Sequence, residues 1–155
     1  MNGYPGTGSV ETVTPTLTAN QSEDRRASAE DCSLVPAFLR IAEIAALDAN
    51  WDGEGADAPS AHAIALANVL IEDVAERYER IAGTRCAPLT SSPINNGGIQ
   101  VEWRRGADRI EVEIAPDGVF SVLVISRADH ATDYRENPEA SLSAAVDDTV
   151  RFLAR

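Results

Sequence analysis

The sequence predicts an α+β fold: an antiparallel meander sheet of three to four strands with helices packed on one face, in the order α-α-β-β-β(-β)-α. Three observations predict it. Apolar residues recur at helical spacing between Ile64 and Ile81, the period changes to two past Pro88, and turn residues separate consecutive short strands. Residues 32–155 are read as one such domain behind a polar, acidic tail, residues 1–31.

The tail carries Gly3, Pro5, Gly6, Gly8 and Pro15, a scatter of threonines, and the charged run Glu23-Asp24-Arg25-Arg26. Its aliphatics Val10, Val13 and Leu17 are too few to offset the entropy of ordering it, so disorder is expected. The first helix is expected over Ser33 to Leu47, with Pro36 in its first turn and Val35, Phe38, Leu39, Ala42, Ala45 and Ala46 as its apolar side. Asn50, Gly53, Gly55 and Pro59 break it. A second helix is expected from about Pro59 to Ala82, with Ile64, Ala67, Ile71, Val74, Tyr78 and Ile81 facing the core and Gly83 as the stop.

Beyond Pro88, a strand ending near Ile94 turns at Asn95-Asn96-Gly97-Gly98. Ile99, Val101 and Trp103 then alternate with Gln100, Glu102 and Arg104, and Ile110, Val112 and Ile114 alternate with Arg109, Glu111 and Glu113. Gly106-Ala107 and Pro116-Asp117-Gly118 supply the intervening turns. Val119 to Ile125 is apolar on both faces apart from Ser121, which predicts a central or doubly covered strand. The polar stretch Arg127 to Asn137 leads to a last helix from about Pro138 to Leu153, with Leu142, Val146, Thr149 and Leu153 inward.

Composition narrows the function classes. With 25 acidic against 13 basic residues the formal charge is −12. Nucleic-acid affinity comes mostly from cations that displace condensed counterions, so no nucleic-acid partner is expected. Anionic lipid is disfavoured for the same reason, and no apolar run is long enough to cross a bilayer, so no membrane role is expected. All 13 basic residues are Arg, which excludes Schiff-base and P-loop lysines. Cys32 and Cys86 do not make a disulfide framework in a chain of 155 residues and are expected to stay reduced. Met1 to Asn20 has neither a basic start nor an apolar run, so a cytoplasmic protein is expected.

The loop Asn50-Trp51-Asp52-Gly53-Glu54-Gly55-Ala56 and the later stretch Gly97-Gly98-Ile99-Gln100-Val101-Glu102-Trp103 carry a resemblance. Together with Pro59, Pro93 and the strand Ile110 to Ile114 before Asp117-Gly118, they are similar to a group of small bacterial proteins. That group shares an Asn-Trp-Asp-Gly-x-Gly-Ala loop after a first helix and a Gly-Ile-x-Val-Glu-Trp strand. The likeness spans roughly residues 36–125. It implies a shared fold, and no activity is established for the group.

Candidate chemistry is sparse. Asp48-Ala49-Asn50-Trp51-Asp52-Gly53 matches the first half of a calcium loop, and Asp48, Asn50, Asp52 and Glu54 come nearest to a metal site. The bidentate Glu that completes such a loop would fall at Pro59, so no metal or other cofactor is assigned. The competing reading is a tight loop in which Gly53 and Gly55 turn the chain and Asn or Asp side chains bond backbone amides. Glu102 and Glu113 share a strand face without a readable pocket, and no catalytic residue is assigned. His62, His130 and the cysteines show no zinc spacing, and Asn95 to Gly98 precedes a strand where a phosphate cradle needs a helix.

The remaining signal is a surface. Glu102, Arg104, Glu111 and Glu113 crowd the open sheet face, and Trp51, Asp52 and Glu54 mark the loop. The leading expectation is a non-enzymatic module that binds a basic protein partner, antitoxin- or immunity-like or mimicking nucleic-acid charge. A small-ligand or cation-binding domain using the Asp48–Asp57 loop is the alternative, and a carboxylate hydrolase ranks last.

Overall fold

The computed structural model describes residues 33–128 and 131–155. The expected tail, and His130, lie outside them. Among the described residues three helices and a five-stranded antiparallel sheet make an α+β fold in the expected order. Helix α1 spans Val35–Ala45 and α2 spans Ala61–Ala82. Strands β1 (Thr90–Pro93), β2 (Ile99–Arg105), β3 (Asp108–Ile114), β4 (Phe120–Ala128) and β5 (Ala131–Ala140) follow. Helix α3, Leu142–Leu153, closes the chain. Each strand pairs with the next, giving the meander order β1-β2-β3-β4-β5.

Local chemistry sets the helix ends. Ser60 caps α2 by accepting from the amides of His62 and Ala63, and Gly83 ends it in a left-handed conformation at φ 74°. Ser141 caps α3 by accepting from Ala144 N. The helices cover one face of the sheet: α2 packs against both other helices, and α1 leans on β1. Between the layers Trp103, Phe152, Ile41, Ile44, Leu70 and Ile71 are fully buried. Each such aliphatic contributes about 1.5–3 kcal/mol relative to exposure.

Three expectations need correction. The inward side of α1 is Leu34, Ala37, Ile41 and Ile44, while Val35 and Leu39 are 62% and 60% exposed and Ala42, Ala45 and Ala46 lie outside. The helix carries two apolar stripes: the one with two isoleucines is buried, and of the expected one only Phe38 is partly buried against the core. Ile81 extends past the core at the last turn of α2 and is 65% exposed.

The sheet also has five strands in place of three or four. The polar stretch before the last helix forms β5, so that helix begins at Leu142 and Pro138 belongs to the strand. The register explains how. Val122 pairs with Asn137 and Phe120 with Ala140, so Pro138 and Glu139 together oppose Ser121 in a β-bulge, where a missing amide proton costs no ladder bond.

Candidate interaction surface

The Asn50–Ala56 loop spends its polar atoms on itself. Asp52 Oδ1 accepts from Glu54 N at 2.8 Å and Ala56 N at 3.1 Å, and Asn50 Oδ1 accepts from Gly55 N at 2.8 Å. Asn50 N donates to Ala56 O at 2.6 Å, closing the loop at its base. Asn50 adopts φ 64°, a left-handed conformation that Asn tolerates better than most residues. Donation from the Glu54 amide, and next from the Ala56 amide, holds the Asp52 carboxyl below its ordinary pKa. Trp51 is partly buried and its Nε1 donates to Asp57 O at 3.2 Å.

The loop is also bolted to the sheet. Asp57 N donates to Asn95 O and Ser60 N to Gly97 O, both at 2.8 Å, while Ser60 Oγ donates to Pro116 O at 3.1 Å. The Asn50–Ala56 loop and the Gly97-Gly98 stretch, distant in sequence, therefore meet at one end of the sheet. The contact is close: a Cβ on Gly97, which has φ 83°, would come 3.0 Å from Ala58 O. Asp48 and Glu54 are exposed, and among the described residues no three His, Cys, Asp or Glu side chains converge as a metal-binding group. His62 lies against the β3–β4 turn, where a Cβ on Gly118 would come 3.0 Å from its Cε1.

The second candidate region is the sheet face opposite the helices. The register sorts its side chains into rows running across the strands. Glu102 opposes Glu111, Glu111 opposes Leu123, and Leu123 opposes Glu136. In the next row Arg104 opposes Arg109, Arg109 opposes Ile125, and Ile125 opposes Tyr134. Gln100, Glu113 and Ser121 form a third. Like charges directly opposite each other on a sheet are destabilising. One contact between rows offsets part of this: Arg109 Nε lies 3.0 Å from Glu111 Oε1. Among the described residues Glu102, Glu113 and Glu136 enter no ion pair, and Arg104 Nε donates to Gly106 O at 3.0 Å.

Sequence reasoning placed Glu102, Arg104, Glu111 and Glu113 on this face, and they share it. Trp51, Asp52 and Glu54 belong to the loop at the end of the sheet. Missed were Leu123, Ile125, Tyr134 and Glu136. For Leu123 and Ile125 the signal is the two-sided apolarity of Val119 to Ile125, which predicts a central or doubly covered strand, whereas Tyr134 and Glu136 sit in a polar stretch with no such signal. The strand is interior, but the helices cover only one side of it. Leu123 is partly buried, Ile125 is 3% exposed beneath its neighbours, and Tyr134 is 66% exposed.

No helix among the described residues is long and apolar enough to cross a membrane. No family model, curated protein or solved structure matches the chain.

Proposed function

We propose that this chain is a non-catalytic interaction module that docks a basic protein on the open face of its sheet. The observation that supports it is the pairing of unmatched charge with uncovered apolar surface. Among the described residues Glu102, Glu113 and Glu136 enter no ion pair, Glu136 lies directly opposite the partly buried Leu123, and Tyr134 stands exposed opposite the buried Ile125. Exposed aromatic residues ringed by polar groups supply the anchors of many interfaces, and a carboxylate row selects and steers a cationic partner. Opposed like charges that lower the stability of the free chain are relieved when a cation enters between them. The partner this face fits carries Arg or Lys around an aliphatic or aromatic anchor, as a toxin neutralised by a small acidic protein would. A pure charge mimic of nucleic acid fits less well, because Leu123 interrupts the acidic row and the next row holds Arg104, Arg109 and Tyr134. The alternative, a ligand site in the Asp48–Asp57 loop, competes with the backbone amides already held by Asn50 and Asp52.

The test is affinity capture from native lysate of the source organism at low and moderate salt. The full chain is compared with a Glu102→Gln/Glu113→Gln/Tyr134→Ala variant. A stoichiometric basic protein, lost as salt rises and lost with the variant, is the expected result. Equal capture by the variant, or none by either chain, overturns the reading.

A further inference from the structure

The meander has two outer strands, β1 and β5, and the fold finishes them differently. Strand β1 is four residues long, ends in Pro93, and accepts at Ser91 O from Arg40 Nε of α1 at 3.1 Å. Shortness, proline and a covering element are ways in which proteins protect a sheet edge. Strand β5 is ten residues long, and its stretch from Ala131 to Glu136 is exposed throughout. Pro138 and the bulge lie beyond that stretch. Alternate residues of an outer strand point their N–H and C=O groups away from the sheet, so this stretch offers main-chain partners to another strand.

We infer that two copies of this chain pair β5 with β5, antiparallel, about a two-fold axis through Tyr134. Geometry and charge select that register. Opposite residues of an antiparallel ladder turn their main-chain groups both toward each other or both away, so the axis passes through a residue position and never between two. Centred on Asp133 or Glu136, the pairing sets identical carboxylates face to face, and centred on Arg135 it does the same with guanidiniums. Centred on Thr132, it spans only Ala131 to Asp133, because β5 begins at Ala131. Centred on Tyr134, it runs from Ala131 to Asn137, sets Asp133 opposite Arg135 of the second copy on both sides of the axis, and faces the two Tyr134 rings. The side chains suit these pairs. Tyr134 shares the open face with its opposite residue Ile125, while Asp133 and Arg135 lie on the helix side with Ser126 and Val124. Among the described residues Asp133 enters no ion pair, and Arg135 Nη2 lies 3.7 Å from Asp148 Oδ1, which Arg151 Nη1 approaches to 2.9 Å. The contact is small, so the association is weak and reversible. It joins two five-stranded sheets into one of ten strands and extends the open face across the axis. It does not rest on the docking reading, since it uses the edge of the sheet and needs no other protein.

The test is sedimentation velocity on the purified full chain, reduced and without partner, up to about 500 μM, a range that populates a weak dimer. The expected result is a reversible shift from monomer to dimer as concentration rises. Asp133→Arg and Arg135→Asp each set like charges opposite one another twice, so each variant alone should sediment as a monomer. An equimolar mixture of the two variants restores both ion pairs across the axis and should sediment as a dimer, which a variant that merely failed to fold would not do. A chain that stays monomeric at every concentration, as it would if its own residues 1–32 held the edge, overturns the proposal. So does a dimer that survives both charge reversals, or a mixture that remains monomeric.

Discussion

At Gly98 the backbone of a neighbouring strand occupies the space where any other residue would put its Cβ. That atom would lie 2.7 Å from Ile114 O and 2.9 Å from Asn96 Oδ1. The first is main chain within a paired sheet and cannot swing aside. Gly98→Ala is therefore expected to destabilise the fold by about 1–3 kcal/mol, read from denaturant unfolding. A shift within error would mean that the β1–β2 turn and β3 adjust freely. Asp52 makes the opposite kind of contribution, through charge and not volume. Its folded pKa is depressed by the Glu54 and Ala56 amides, so the stability it adds is complete above the ordinary carboxylate value, about 3.9. That contribution is lost as pH falls through the lowered folded value. Asp52→Ala should lower Tm at neutral pH and flatten the acid limb of the stability profile; an unchanged acid limb would remove Asp52 from the loop's support. The sequence displayed both residues as turn formers. It could not display the crowding at Gly98, because Ile114 O reaches it only through strand pairing.

Among the elements, α1 and β5 were the hardest to read, for different reasons. In α1 two apolar stripes share one short helix, and spacing alone does not rank them. Packing ranks them by the area each buries, which favours Ile41 and Ile44. Ile41→Ala should cost about 2–5 kcal/mol, whereas Leu39→Ala should stay within about 0.5 kcal/mol. Comparable losses at the two positions would contradict the observed phase. Strand β5 has no period-two signal, because its residues are exposed up to Glu139 apart from the partly buried Asn137. Main-chain pairing with β4 and the bulge at Pro138 make it a strand, and neither leaves a mark in side-chain pattern. Strands β2 and β3 were legible because each has one wet and one dry face. Helix α2 was legible because its stripe lacks a rival, with Ile81 misread only where the helix outruns the sheet.

Across the whole molecule the sheet divides labour between its faces. The helix side holds the apolar core, and the open side holds rows of charge with apolar residues at the β4 and β5 end. The open side is arranged at some expense of stability, since Glu102 faces Glu111 across β2 and β3 and, among the described residues, enters no ion pair. Neutralising it by Glu102→Gln should raise stability by about 0.2–1 kcal/mol while weakening capture of a basic partner. A destabilised variant would show that Glu102 is satisfied in the free chain. Sequence alternation identified this face as charged. What it could not supply is the register that sorts the charges into rows and places Leu123 and Tyr134 beside them.

The most direct test of the docking claim is carbodiimide labelling of carboxylates in the free chain and in the captured complex, with mass spectrometry to place the sites. Glu102, Glu113 and Glu136 should be protected in the complex, while Asp48 and Glu54 in the loop label as they do in the free chain. Protection confined to the loop, with the sheet carboxylates still labelled, would contradict the account and move the docking surface to the end of the sheet.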